Sequence, residues 1–189
     1  MSLPRLLVVT DRTQAAGPLV EVVTAAVGNG ARGVVLRDRD LAAPDRLDLV
    51  AELAPVLERA GGLLIVAGLP AWSAVHLAAR EGFPSPRPGV VGRSCHSMSE
   101  VDGAVAEGCD YVTVSPVAAS ASKPGYGPAL GPAGLAALLR PGLPVYALGG
   151  VLPSTVMSYV DAGAYGVAVM GPVMRDPTVV DAYLKELPS

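Results

Sequence analysis

Short apolar runs rich in Val, Leu and Ile alternate with longer Ala/Leu segments along the chain. A run of four or five such residues between turn formers reads as a strand buried on both faces, and a longer segment with helical spacing reads as a crossover helix. Strands are expected at Leu6–Thr10, Gly33–Leu36, Leu63–Val66, Ala74–Leu77, Val90–Gly92, Tyr111–Val114, Val145–Leu148 and Val167–Met170. Helices are expected at 19–30, 45–60, 99–108, 132–140, 153–163 and 176–187, with Ser99 capping the third of them. Eight βα units in regular order predict one domain over residues 1–189, a small (β/α)8 TIM barrel. An open doubly wound sheet is the alternative, but the first turn carries Thr10-Asp11-Arg12 in place of a glycine-rich dinucleotide fingerprint.

Composition narrows the function classes. The 189 residues are 51% hydrophobic, enough for one large core without disulfides, and the 22 Gly and 18 Pro punctuate the apolar runs. A net charge of −3 with no basic run argues against a nucleic-acid partner. Two cysteines, Cys95 and Cys109, suggest a reduced cytoplasmic setting. The opening MSLPRLLVVTDR is too short in its apolar core for a signal peptide, and no apolar run is long enough to span a bilayer, so no membrane partner is expected. Arginine supplies all but two of the 14 basic residues, which singles out Lys123 in its Gly/Ser-rich surroundings.

In a barrel, residues after the carboxyl ends of strands converge on one mouth. Those ends carry Thr10-Asp11-Arg12, Arg37-Asp38-Arg39, His76, Ser94-Cys95-His96-Ser97, Ser115, Gly149-Gly150 and Gly171. Gly149, Gly150 and Gly171 let backbone N–H groups approach an anion, so they are expected to bind phosphate, aided by a helix starting near Pro153. Ser120, Ser122 and Lys123 form a second anion-gripping set in a loop. Arg37 is expected to point into the mouth as an anion ligand, and Arg39 to pair with Asp38 or Asp40 instead. His96 is the first proton-shuttle candidate and His76 the second, with a packed role as its alternative. Cys95 adjoins His96, yet successive strand side chains point to opposite faces, so no cysteine hydrolase is expected. No metal motif is present: HExxH, a close Cys pair and an acidic calcium loop are all missing.

Taken in order, LLVVTDR (6–12), VVLRDR (34–39), LLIVAG (63–68), VHL (75–77), GRSCHS (92–97), DYVTVSP (110–116), the SASK loop (120–123), PVYALGG (144–150) and GAYGVAVMG (163–171) resemble the thiamin phosphate synthase/TenI family over nearly the whole chain. The resemblance implies a small barrel, often a homodimer, that handles phosphorylated thiazole or pyrimidine intermediates. It also implies basic residues at Arg37 and Arg39, which are present. The synthase pattern has Asn-Asp after the third strand, where this chain has Ala67-Gly68, and an acidic metal ligand beyond the fourth, where it has Ala78-Ala79-Arg80-Glu81. Those departures, with GRSCHS, point toward the TenI branch and a metal-free thiazole phosphate tautomerase, an isomerase without cofactor. The usual tautomerase histidine is Pro116 here, which leaves His96 as the replacement. The alternatives are a thiamin phosphate synthase, for which Mg2+ would be needed, and a catalytically altered phosphate-ligand-binding or regulatory relative. Arg37, Arg39, Ser94, Ser115, Ser120, Ser122, Lys123, Gly149, Gly150 and Gly171 are the substrate-binding candidates, and Arg37, Ser94, Lys123 and the diglycine support a ligand site under every one of these readings.

Overall fold

The computed structural model describes residues 3–69, 71–119 and 127–188. Eight parallel strands close into a barrel in chain order: β1 (Leu6–Val9), β2 (Gly33–Leu36), β3 (Leu63–Ala67), β4 (Ala74–Leu77), β5 (Val90–Cys95), β6 (Tyr111–Val114), β7 (Val145–Leu148) and β8 (Gly166–Val169). The seam is made by β1 and β8, with Leu6 against Val167 and Val8 against Val169. The helices α1 (Leu19–Gly28), α2 (Ala43–Arg59), α3 (Met98–Glu107), α4 (Gly131–Ala137), α5 (Val156–Asp161), α6 (Gly171–Arg175) and α7 (Val180–Glu186) complete the described elements, with short 3-10 turns. This is the (β/α)8 TIM barrel that the apolar periodicity predicts, and the open sheet is excluded.

All eight expected strands form, and the differences have local causes. β5 runs on to Cys95, beyond the expected Gly92. Polar residues hide the strand in the sequence: Arg93 turns outward to Glu107 and to the carbonyls of Ala78, Ala79 and Glu81, while Ser94 turns inward to His76. Ser97, not Ser99, caps α3: its hydroxyl accepts the Glu100 N–H, and the Glu100 carboxylate accepts the His96 N–H. The expected helix at 153–163 opens as a 3-10 turn over Pro153–Thr155, so α5 begins only at Val156. The expected helix at 176–187 is likewise split, because Asp176 accepts the Thr178 N–H and caps a 3-10 turn over Pro177–Val179 before α7. The five-residue α6 went unpredicted, since so short a segment shows no helical period.

Alternation sorts the strand residues into two cores. Leu6, Val8, Val34, Leu36, Val66 and Val112 pack outward against the helices. Leu7, Val9, Val35, Ile65, Tyr111, Tyr146 and Ala168 fill the barrel interior. Tyr111 reaches sideways because Gly92 on the neighbouring strand leaves room: a Cβ there would lie 2.0 Å from the Tyr111 Cζ. Gly92→Ala should therefore cost about 2–3 kcal/mol through overpacking. Urea unfolding checks this, and a wild-type midpoint would contradict it.

Candidate active site

The carboxyl ends of the strands assemble a polar mouth over the apolar interior. Thr10, fully buried, donates its hydroxyl to Asp38 Oδ2 at 2.5 Å and accepts the Arg37 N–H at 2.9 Å. Asp38 Oδ1 accepts the Arg12 N–H at 2.7 Å, so the first two loops are locked together. Arg12 also pairs with Asp40 at 2.5 Å. Asp11 accepts from Thr13 and Gln14; burial works against its charge, but these hydrogen bonds prevail and hold its carboxyl below the usual value. Arg37 is exposed beside Asp11 in an opening of about 260 Å³, and its guanidinium meets no hydrogen-bond or ion-pair partner among the described residues.

Arg39 departs from expectation. Asp38 and Asp40 are already taken by Thr10 and Arg12, so Arg39 reaches over β3 instead, donating to His76 O at 3.1 Å and pairing with Glu81 at 2.7 Å. Glu81 also accepts the Ala78 N–H; burial opposes its charge, yet these partners keep its carboxyl low.

His76 lies in the barrel wall. Its Nδ1 is 2.9 Å from the Tyr111 hydroxyl and its Nε2 is 2.9 Å from Ser94 Oγ. Burial, together with the nearby Arg39 guanidinium, pulls its pKa from 6.5 down to about 3, and burial pushes the Tyr111 phenol well above its usual value. The imidazole is thus neutral and the phenol protonated. The resulting Tyr111–His76–Ser94 chain presents one hydroxyl, that of half-buried Ser94, toward the mouth. Tyr111 is the member of this chain that an apolar run conceals in the sequence.

His96 stands apart from that chain, exposed, with Nδ1 2.8 Å from Ser115 O and 3.3 Å from Ser115 Oγ. Cys95 points outward into the core, and burial raises its thiol to about 12, which leaves it unreactive at neutral pH.

Across the mouth, Gly149, Gly150 and Gly171 line one cavity of about 200 Å³ together with Arg175. Gly149 and Gly150 adopt φ of 93° and 71°, and a Cβ on Gly150 would meet Ala119 O at 2.3 Å. No side chain fits at Gly150, so the glycines present backbone to this side of the cavity. Pro153 opens only a 3-10 turn, so the helix expected to add its dipole there does not start at that residue. Arg175, on the unpredicted α6, supplies a cation that strand-end inspection missed; it also donates to Gln14 Oε1 at 3.3 Å, tying this cavity to the Asp11 loop. Ser120, Ser122 and Lys123 lie outside the described residues. Among the described residues no helix is long and apolar enough to cross a membrane.

Comparison with known proteins fits this architecture. Residues 6–173 match the family described as thiamine monophosphate synthase. The chain is 36% identical over 188 residues to a Geobacter sulfurreducens protein, covering 91% of this chain and 87% of that one. It is 34% identical over 191 residues to the thiamine-phosphate synthase of Methanoculleus marisnigri, covering 94% and 90% respectively. The solved thiamine phosphate pyrophosphorylase from Pyrococcus furiosus superimposes with a TM-score of 0.82 at 22% identity, covering 96% of this chain and 94% of that one, which speaks for the fold. These relatives correct the expected placement in the TenI branch and with it the isomerase reading. That expectation leaned on the carboxylates missing at Ala67-Gly68 and beyond β4 and on GRSCHS, none of which outweighs similarity over nearly the full length. With the strand-end landmarks, the closed barrel and the match over residues 6–173 in agreement, the chain belongs to the thiamine monophosphate synthase family.

Proposed function

We propose that this mouth joins a thiazole phosphate to a pyrimidine diphosphate, forming thiamin phosphate and releasing diphosphate. Family membership supports this, and one structural observation carries it: two separate openings share one barrel end, one floored by Gly149, Gly150 and Gly171, the other lined by Arg37 and Arg39 with Asp11, Asp38 and Asp40, of which Asp38 and Asp40 are already bonded to Thr10 and Arg12. A transferase acting on two phosphorylated partners needs to hold both at once so that the reacting atoms meet. In this scheme the glycine floor, with Ser120, Ser122 and Lys123, takes the thiazole phosphate. Arg37 takes the diphosphate end of the other partner. The thiazole nitrogen forms its new bond to the methylene carbon of the pyrimidine as the C–O bond breaks and the diphosphate leaves with the electron pair. Negative charge grows on that leaving oxygen, so a positioned guanidinium contributes most there. The Ser94 hydroxyl, held by neutral His76, gives the pyrimidine ring a polar contact without adding charge.

A Mg2+ ion is what the resemblance implies for such a reaction, and the donors at this mouth do not fit one. Asp38 is held by Thr10 and Arg12, Asp40 by Arg12, and Glu81 by Arg39 and Ala78. The end of β3 offers Ala67 and Gly68, and no convergent group of three or more His, Cys, Asp or Glu side chains occurs among the described residues.

Mixing the purified protein with both substrates and following thiamin phosphate by mass spectrometry tests the proposal. Product is expected only when both are present, and its absence with and without Mg2+ rejects it. Arg37→Ala should lower the rate by about 10²-fold with the thermal midpoint intact, because the guanidinium holds no structural contact among the described residues.

A further inference from the structure

Gly68 follows β3 with a φ of 71°, and the space its side chain would occupy is already filled: a Cβ there would stand 2.8 Å from Arg46 Nη1. Arg46 rises from the first turn of α2, is only 9% exposed, and donates Nη1 to Ala67 O at 2.8 Å. Its Nε is buried without a partner, and no carboxylate lies within ion-pair distance of it among the described residues. A buried charge normally carries its counter-charge with it, because desolvation is not otherwise repaid. Arg93, similarly buried, obeys that rule through Glu107. Arg46 does not.

A second guanidinium lies close by. Ala67 is the register partner of His76, and Arg39 donates to the His76 carbonyl while pairing with Glu81 at 2.7 Å, a pair the ligand would have to share. Two arginines, from β2's loop and from α2, thus bond main-chain oxygens of paired residues on neighbouring strands. This is the place where the family resemblance calls for Asn-Asp, and here Arg46 brings a positive charge that no carboxylate among the described residues pairs.

We infer that the rim over β3 and β4 completes the diphosphate site beside Arg37, with Arg46 and Arg39 bonding the ligand directly and no divalent cation between protein and ligand. The inference deepens the proposed transfer and rests on it for which substrate carries the diphosphate. A guanidinium can offer phosphate oxygens two parallel N–H donors, so a pair of them can meet a diphosphate's charge where a carboxylate site would need a metal bridge. Gly68 is the enabling residue: a side chain there would displace Nη1, and an acidic one would neutralise it.

Calorimetric titration with inorganic diphosphate, in EDTA and then in Mg2+, tests this. Binding is expected in EDTA, with Mg2+ tightening it little. Arg46→Gln should weaken it by about tenfold or more at an unchanged thermal midpoint. If that variant fails to fold, Gly68→Asp serves instead, since Asp tolerates positive φ better than most residues and would pair Arg46 internally; the same loss is expected. Binding that requires Mg2+, or that survives the folded variant, overturns the inference, and diphosphate lodged on the Gly149–Gly150 floor would show as the latter. Arg46-dependent binding without product formation would instead sink the proposed transfer and leave this inference standing, whereas product formed only with Mg2+ would do the reverse.

Discussion

Gly150→Ala should both destabilise the barrel and weaken its affinity for phosphorylated ligands. The residue holds φ at 71°, a region that costs an L side chain roughly 1 kcal/mol, and the new Cβ would sit 2.3 Å from Ala119 O and 2.8 Å from the Ala118 Cβ. Backbone has to move to relieve that contact, which brings the expected loss to about 2–4 kcal/mol. The same movement carries the cavity floor out of line, because Ala119, Gly149 and Gly150 all line it and Ala118 N–H bonds Gly149 O at 2.9 Å. Affinity for the thiazole phosphate should fall by about tenfold or more. Calorimetry beside urea unfolding measures both, and wild-type affinity in the variant would show that these glycines serve only the turn.

Acid should weaken the protein through His76. An unfolded chain holds this imidazole at its ordinary 6.5, whereas burial lowers it to about 3 in the fold, so between those values the unfolded state binds the proton more readily. The stability associated with neutral His76 is complete above about pH 6.5 and is lost as pH falls toward 3. Between about pH 7 and pH 4 that loss amounts to roughly 3 kcal/mol. His76→Gln should start lower at neutral pH, having broken the bonds to Tyr111 and Ser94, but its stability should fall less with acid. Urea curves at both pH values decide the matter, and parallel pH dependence in the two proteins would mean that His76 is not the responsible group.

What the sequence made legible follows from period and position. Strands buried on both faces appear as bare apolar runs, and eight such runs define the barrel; β5 extends past its apolar run because Arg93 and Ser94 carry it on, one to each side of the strand. Strand-end inspection located Arg37, Ser94 and the glycines because chain position alone brings them to one mouth. It could not find Tyr111 or Arg46. The first reaches His76 by lying over Gly92 of the adjacent strand, and the second arrives from a helix to fill the space beside Gly68. Contacts of that kind are set by packing between elements rather than by spacing along one. Arg39 shows the same limit: its pairing with Glu81 spans the strand between, and the nearby aspartates were claimed by closer donors. The leaning toward the TenI branch came from weighing two missing carboxylates above the similarity of the whole chain.

The transfer itself is tested most directly by phosphorus NMR on a mixture of thiazole phosphate, pyrimidine diphosphate and protein. One inorganic diphosphate should appear for each thiamin phosphate formed, neither substrate should change without the other, and Arg37→Ala should slow both signals together. A diphosphate resonance that stays unchanged in the complete mixture, in EDTA and in Mg2+ alike, would contradict the transfer.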